Sequence, residues 1–185
     1  MSFTTALMLV GLLASAPGDK AVVPVALQVE LLSKVLPYDR TFLARSAGKV
    51  RVLVVYAADA PESERVARQV LSALQGQPLL GGLGHEEEAL VFEGPARLAA
   101  QVTERHASLV LFAPGLSSQA SALARAFEGH EVLTVSTTPE GVREGLVLGF
   151  DLLSGKPRML FNLTQSRRQR TDFRADVLQL MTVFP

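Results

Sequence analysis

The chain has 185 residues, 48% of them hydrophobic, enough for one domain with a substantial core, since a domain of about 150 residues buries roughly 70% of its unfolded surface. Eighteen Lys and Arg balance eighteen Asp and Glu, so no net field draws nucleic acid or anionic lipid to the surface. The absence of cysteine removes disulfides, thiol catalysis and cysteine-based zinc sites. Three scattered histidines, His85, His106 and His130, leave little for a metal site.

Taken in chain order, the first sixteen residues carry no charge, and the apolar run from Ala6 to Leu13 has the length of a signal-peptide core, followed by Ala14-Ser15-Ala16. Residues 1–20 therefore read as an export signal, and 21–185 as one α/β domain. The run is too short to span a bilayer, which needs ~20 apolar residues. The n-region lacks Lys and Arg, and Pro17 disfavours cleavage after Ala16, so an N-terminal helix or strand of a cytoplasmic domain is the alternative.

Val25, Val29, Leu32 and Val35 recur at helical spacing and predict an amphipathic helix that ends before Pro37. Tyr38 to Phe42 reads as a loop and Arg45 to Gly48 as a turn. Val50 to Tyr56 is a β-branched and apolar run interrupted only by Arg51, as in a strand buried on both faces. Pro61 opens a helix carrying Val66, Val70 and Leu74 on one side. Gln75 to Glu88 reads as a mobile loop rich in glycine. Then come a short strand (89–92), a helix (95–106), a strand (108–112), a helix (117–127) and a strand (132–135).

Strands separated by helices imply parallel neighbours, because parallel pairing needs crossover connections. Leu146 to Leu152 and Pro157 to Leu163 break that rhythm as a hairpin around Leu153-Ser154-Gly155-Lys156, and Thr164 to Thr182 closes the chain as one helix. The expected fold is a three-layer Rossmann-like α/β sheet, mostly parallel, with an antiparallel C-terminal hairpin and helices on both faces.

The chemical motifs are sparse. Gly81-Gly82-Leu83-Gly84 has no phosphate-loop spacing and precedes three glutamates that repel phosphate. Ser117 and Ser118 follow a strand but have no visible base, and a helix N-cap is the simpler role. Asp59 stands where α/β folds place ligands, as a candidate acid or metal carboxylate, although turn or cap duty is the simpler role for an Asp before Ala-Pro. Glu86, Glu87 and Glu88, with His85, read as solvated; His130 beside Glu131 reads as surface. Arg167, Arg170 and Arg174 fall at i, i+3 and i+7 of the expected last helix, with Arg168 beside them and Phe173, Val177, Leu180 and Met181 inward. This stripe is either a docking surface for an acidic partner or a solvated helix face.

Val132-Leu133-Thr134-Val135-Ser136, Glu144-Gly145-Leu146-Val147-Leu148, Lys156 to Leu163, Arg167-Arg168 and Val177-Leu178-Gln179-Leu180 resemble the C-terminal pattern of the YfiR family in order and spacing. In that pattern an L-T-V-S strand precedes a short helix, a strand opening at Gly-Gly, a hairpin, a strand ending in F-x-I-N, and a helix. Asn162 takes the asparagine, Phe161 the isoleucine and Met159 the phenylalanine, while Gly145 keeps one glycine and Glu144 replaces the other. Upstream, Val25 to Tyr38 resembles the family's first helix and Lys49 to Tyr56 its first strand. The family's tryptophan and cysteines are missing, and Gln169-Arg170-Thr171 stands in place of its Ala-Gly-Leu, so the chain is a divergent member.

The resemblance implies a small exported, non-enzymatic repressor that binds the periplasmic part of a membrane signalling protein, a diguanylate cyclase or sensor kinase, and so acts on cyclic-di-GMP signalling. It implies no cofactor, no metal and no nucleic acid, and a homodimer as a further arrangement. Thr134, Gly145, Phe161 and Asn162 are then structural motif positions. Two other readings stay open. One is a periplasmic small-ligand sensor using Asp59, Ala113 to Ser118 and Ser136 to Thr138 as a crevice. The other is a hydrolase of unrecognised type.

Overall fold

A computed structural model describes residues 22–185, so the export-signal reading lies outside the described residues. Its centre is a seven-stranded sheet in the order β2-β1-β3-β4-β5-β6-β7. The strands are β1 (Lys49–Tyr56), β2 (Gly84–Val91), β3 (Leu109–Phe112), β4 (Leu133–Ser136), β5 (Leu148–Leu153), β6 (Lys156–Asn162) and β7 (Thr182–Phe184). The first five are mutually parallel, β6 turns back antiparallel to β5, and β7 runs parallel to β6. The α/β class, the parallel majority and the C-terminal hairpin all agree with the sequence reading.

The alternation of strand side chains divides the core into two layers. Val50, Val52 and Val54 of β1 point into one layer, and Leu53 and Val55 into the other. The first layer is roofed by α1 (Val25–Val35) and α3 (Pro61–Gln75), the second by α4 (Pro95–Glu104) and α5 (Ala120–Ala126). Short helices α2 (Phe42–Ser46) and α6 (Pro139–Arg143) and 3-10 turns at Leu36–Tyr38 and Ser117–Gln119 lie between these elements. The hairpin turns on Ser154 and Gly155, both with positive φ (51° and 74°), the backbone of a two-residue primed turn whose twist suits the flanking strands.

Two elements differ from the sequence reading. Residues 84–88 are strand rather than loop, and the strand that was expected to start at Ala89 starts at Gly84. Glutamates there are held by cross-strand charge: Glu86 pairs with Lys49 (2.5 Å) and Arg51 (3.0 Å) on β1, and Lys49, foremost, keeps its carboxyl below the usual carboxylate range. His85 is not solvated; its Nδ1 lies 2.9 Å from Glu87 Oε2 and its Nε2 3.0 Å from the Gln77 carbonyl. The glycine loop is packed too, since Leu80 is fully buried and a Cβ on Gly81 would stand 2.8 Å from both Leu36 and Phe42.

The second difference is larger. The span 164–182 is two short helices, α7 (Leu163–Arg168) and α8 (Ala175–Leu178), followed by β7, and no continuous helix exists there. The break begins at Arg170, whose φ is 52°. Residues 172–174 then extend beside the chain at 38–40: Arg40 N–H donates to the Asp172 carbonyl at 2.8 Å, and Arg174 N–H to the Tyr38 carbonyl at 2.9 Å. Burying Phe173 against Phe161, with ring centroids 5.2 Å apart, outweighs the helical preference of the segment.

Candidate functional site

With the long helix broken, the four arginines do not form one stripe. Arg168 meets Glu128 at 3.2 Å and Arg170 meets Glu131 at 3.4 Å, both exposed. Arg167 is exposed on α7. Arg174 lies elsewhere, 5.5 Å over the Tyr38 ring and paired with Asp176 at 2.6 Å. Phe173, Val177 and Met181 are buried, but Leu180, expected inward, is 64% exposed.

Leu180 forms one lip of an apolar groove of about 510 Å³. Leu31 and Val35 from α1 make one wall, Met159 from β6 and Val177 from α8 the other, and Tyr38 closes one end. Lys34 and Asp176 put one charge of each sign on the rim. A surface that exposes Tyr38 and Leu180 around an apolar floor has the composition of a protein-docking site.

The same region is locked from below by a buried ion pair that sequence reading missed. Asp39 and Arg45, read as loop and turn residues, have side chains 0% and 2% exposed and meet at 2.6 Å. The other Asp39 oxygen accepts from the N–H of Thr41 and of Asp172, both at 3.0 Å, and from the Thr41 hydroxyl at 2.8 Å. Arg45 also donates to Thr41 Oγ1 and to the Ser108 carbonyl. The pair thus ties the end of α1 to the C-terminal segment.

The motif positions build the frame under this segment. Thr134 is fully buried; its hydroxyl accepts from Val147 N–H at 3.1 Å and donates to Gln169 Oε1 at 3.0 Å. Asn162 caps α7, its Oδ1 accepting from Gln165 N–H at 2.9 Å. Phe161 faces Leu148 and Val183 across the sheet. Gly145 has φ 133°, and a Cβ there would stand 2.9 Å from Ala124 Cβ, so Gly145→Ala should cost roughly 1–3 kcal/mol through backbone strain. Chemical denaturation checks this; an unchanged midpoint would show the turn to be adaptable.

A second recess lies over the carboxyl ends of the parallel strands, about 1010 Å³ in volume. Val23 and Pro24 from the segment before α1, Gln28 of α1, one face of α3 (Arg65, Gln69, Ser72), Pro114 after β3 and Thr137 after β4 line it. Asp59, exposed in the turn before α3 with φ 53°, is outside its lining. Ser117 and Ser118 lie in a single 3-10 turn, and neither caps α5, whose N-cap is Gln119. His130 is half-buried, edge-on to Phe127 with centroids 6.0 Å apart.

The mostly parallel α/β fold is shared with proteins of known structure. The ABC domain in complex with L-Trp from Streptococcus pneumonia superposes with a TM-score of 0.60 at 12% identity, over 87% of this chain and 62% of that one. A ligand-free, open substrate-binding protein with adhesive properties from Clostridium difficile gives 0.57 at 11% identity, over 88% and 60%. A conserved domain protein from Vibrio cholerae gives 0.56 at 16%, over 89% and 61%. The chain therefore spans about three-fifths of the length of each, and the likeness is one of fold. No curated protein sequence matches. Residues 94–182, from the start of α4 to the start of β7, match the family described as YfiR/HmsC-like, in agreement with the resemblance read from the sequence.

Proposed function

We propose that this protein is an exported, non-enzymatic regulator that docks the periplasmic part of a membrane signalling protein, a diguanylate cyclase or sensor kinase, and holds it inactive. The match of residues 94–182 to the YfiR/HmsC-like family supports the class. Among the described residues no helix is long and apolar enough to cross a membrane. The observation that carries the docking role is the apolar groove with Tyr38 and Leu180 exposed on its lips, built where the YfiR-like region meets α1. An apolar side chain of the partner fills the groove, while Lys34, Arg174 and Asp176 select the polar surroundings. Repression follows when the docked partner state is the inactive one, because a ligand shifts an equilibrium only by its differential affinity.

The test is site-specific photocrosslinking from position 180, with position 97 on α4 as the control, in the periplasm of a Gram-negative host. Recovery of a membrane cyclase or kinase from position 180 and not from 97 is expected. Leu180→Asp should weaken that binding at least about tenfold, the effect of losing one interface anchor, with unchanged thermal stability. Equal recovery from both positions, or full binding by Leu180→Asp, overturns the groove as the contact.

A further inference from the structure

We infer that the cleft over the carboxyl ends of the parallel strands is a binding site for a small neutral amphipathic molecule that presents an N–H or O–H donor. The position follows from topology. From β1 the chain moves out to β2 on one side and then crosses back to β3 on the other, and the loops leaving β1 and β3 part to open a crevice. Here the crevice is real, about 1010 Å³, within the range of small-molecule sites.

The chemistry of the ligand follows from the lining. Among the described residues its only charged side chains are Glu62 and Arg65, which satisfy each other through two hydrogen bonds of 2.8 and 2.5 Å. Arg65 holds the Glu62 carboxyl below the usual carboxylate range, so the pair stays ionised and internally neutral. No unbalanced charge is left to recruit an ion. Val23, Val66, Ala73 and Pro114 supply apolar wall.

Gln28 supplies the polar selectivity. It is 3% exposed, and its Nε2 is fixed by the carbonyls of Val23 (2.9 Å) and Thr137 (3.1 Å), while its Oε1 is buried without a partner. A buried acceptor left unpaired costs free energy that a donor from the ligand recovers. Turning the amide over would set its oxygen against two carbonyls, so the acceptor is fixed. The inference does not rest on the docking reading; the two sites have different linings, although α1 contributes to both.

Two probes of one shape separate the requirement: benzamide carries the donor and methyl benzoate does not. Amide-detected NMR titration of the full 15N-labelled chain should show saturable shifts with benzamide at Ser72, Thr137, Thr138 and the Gln28 side chain. Methyl benzoate should bind about tenfold more weakly, as expected for one recovered hydrogen bond. Ser72→Trp, on the exposed face of α3, should abolish the benzamide shifts, with Gln69→Trp as a second filling variant. No saturable shift at these positions, equal affinity for the two probes, or shifts confined to Tyr38 and Leu180 overturns the site.

Discussion

Asp39→Ala should lower stability by about 3–5 kcal/mol, because it strands the Arg45 guanidinium in a buried site. At about 2–4 °C per kcal/mol for a chain of this size, the melting temperature falls by roughly 6–20 °C. The geometry explains why so much depends on one carboxylate. Its two oxygens take four donors, from Arg45, Thr41 N–H, Thr41 Oγ1 and Asp172 N–H. Alanine leaves a charge and several donors unpaired where water does not reach, since both side chains are essentially inaccessible. Arg45→Met should cost a similar amount for the converse reason, an unpaired buried carboxylate. The double variant Asp39→Ala/Arg45→Met is the diagnostic. It should be less destabilised than the sum of the singles by at least about 2 kcal/mol, the signature of coupled neighbours. Additive losses each below 1 kcal/mol would show that the pair is solvated in solution and fixes nothing.

That same lock shows where sequence stops being informative. Strand β3 and residues 52–56 of β1 are continuous apolar runs because helices cover both faces of the sheet, and such runs are visible without partners. The hairpin turn is equally local, since Ser154-Gly155 suits positive φ. Asp39 and Arg45 carry no such signal. They sit in a loop and a short helix, and the backbone that completes their network is at Asp172, 133 residues away. The C-terminal span misled for a related reason: its spacing satisfies a helix, but Phe173 is claimed by Phe161 and Asp172 by Asp39, and those long-range contacts break the helix. Once it breaks, the arginine stripe dissolves and Leu180 turns outward to form the groove. The apolar groove was therefore illegible even though every residue lining it was in view. The carboxyl-edge crevice was foreseeable from strand order, but the role of Gln28 was not, because a glutamine inside an amphipathic helix gives no sign of what it bonds.

Phe161→Ala should cost about 3–5 kcal/mol as a large-to-small change in a closed core, and its second effect is more informative than the first. Phe161 is fully buried, opposite Leu148 on β5 and Val183 on β7, with its ring edge-to-face against Phe173. The C-terminal segment rests on that ring at two points: β7 through the sheet and residue 173 through the aromatic contact. The strands around β1 do not pair with its strand. Removing the ring should therefore loosen residues 173–184 before the rest, as a local opening with a lower free energy than global unfolding. Hydrogen exchange reads this directly, because protection should fall more at Phe173, Val183 and Phe184 than at Val52 and Val54 of β1. Since Val177 and Leu180 belong to the loosened segment, the groove loses its shape as well, and docking should weaken while the β1 core persists. A uniform loss of protection across both regions would mean that the segment and the sheet open as one unit, and the groove would then be no more adjustable than the core beneath it.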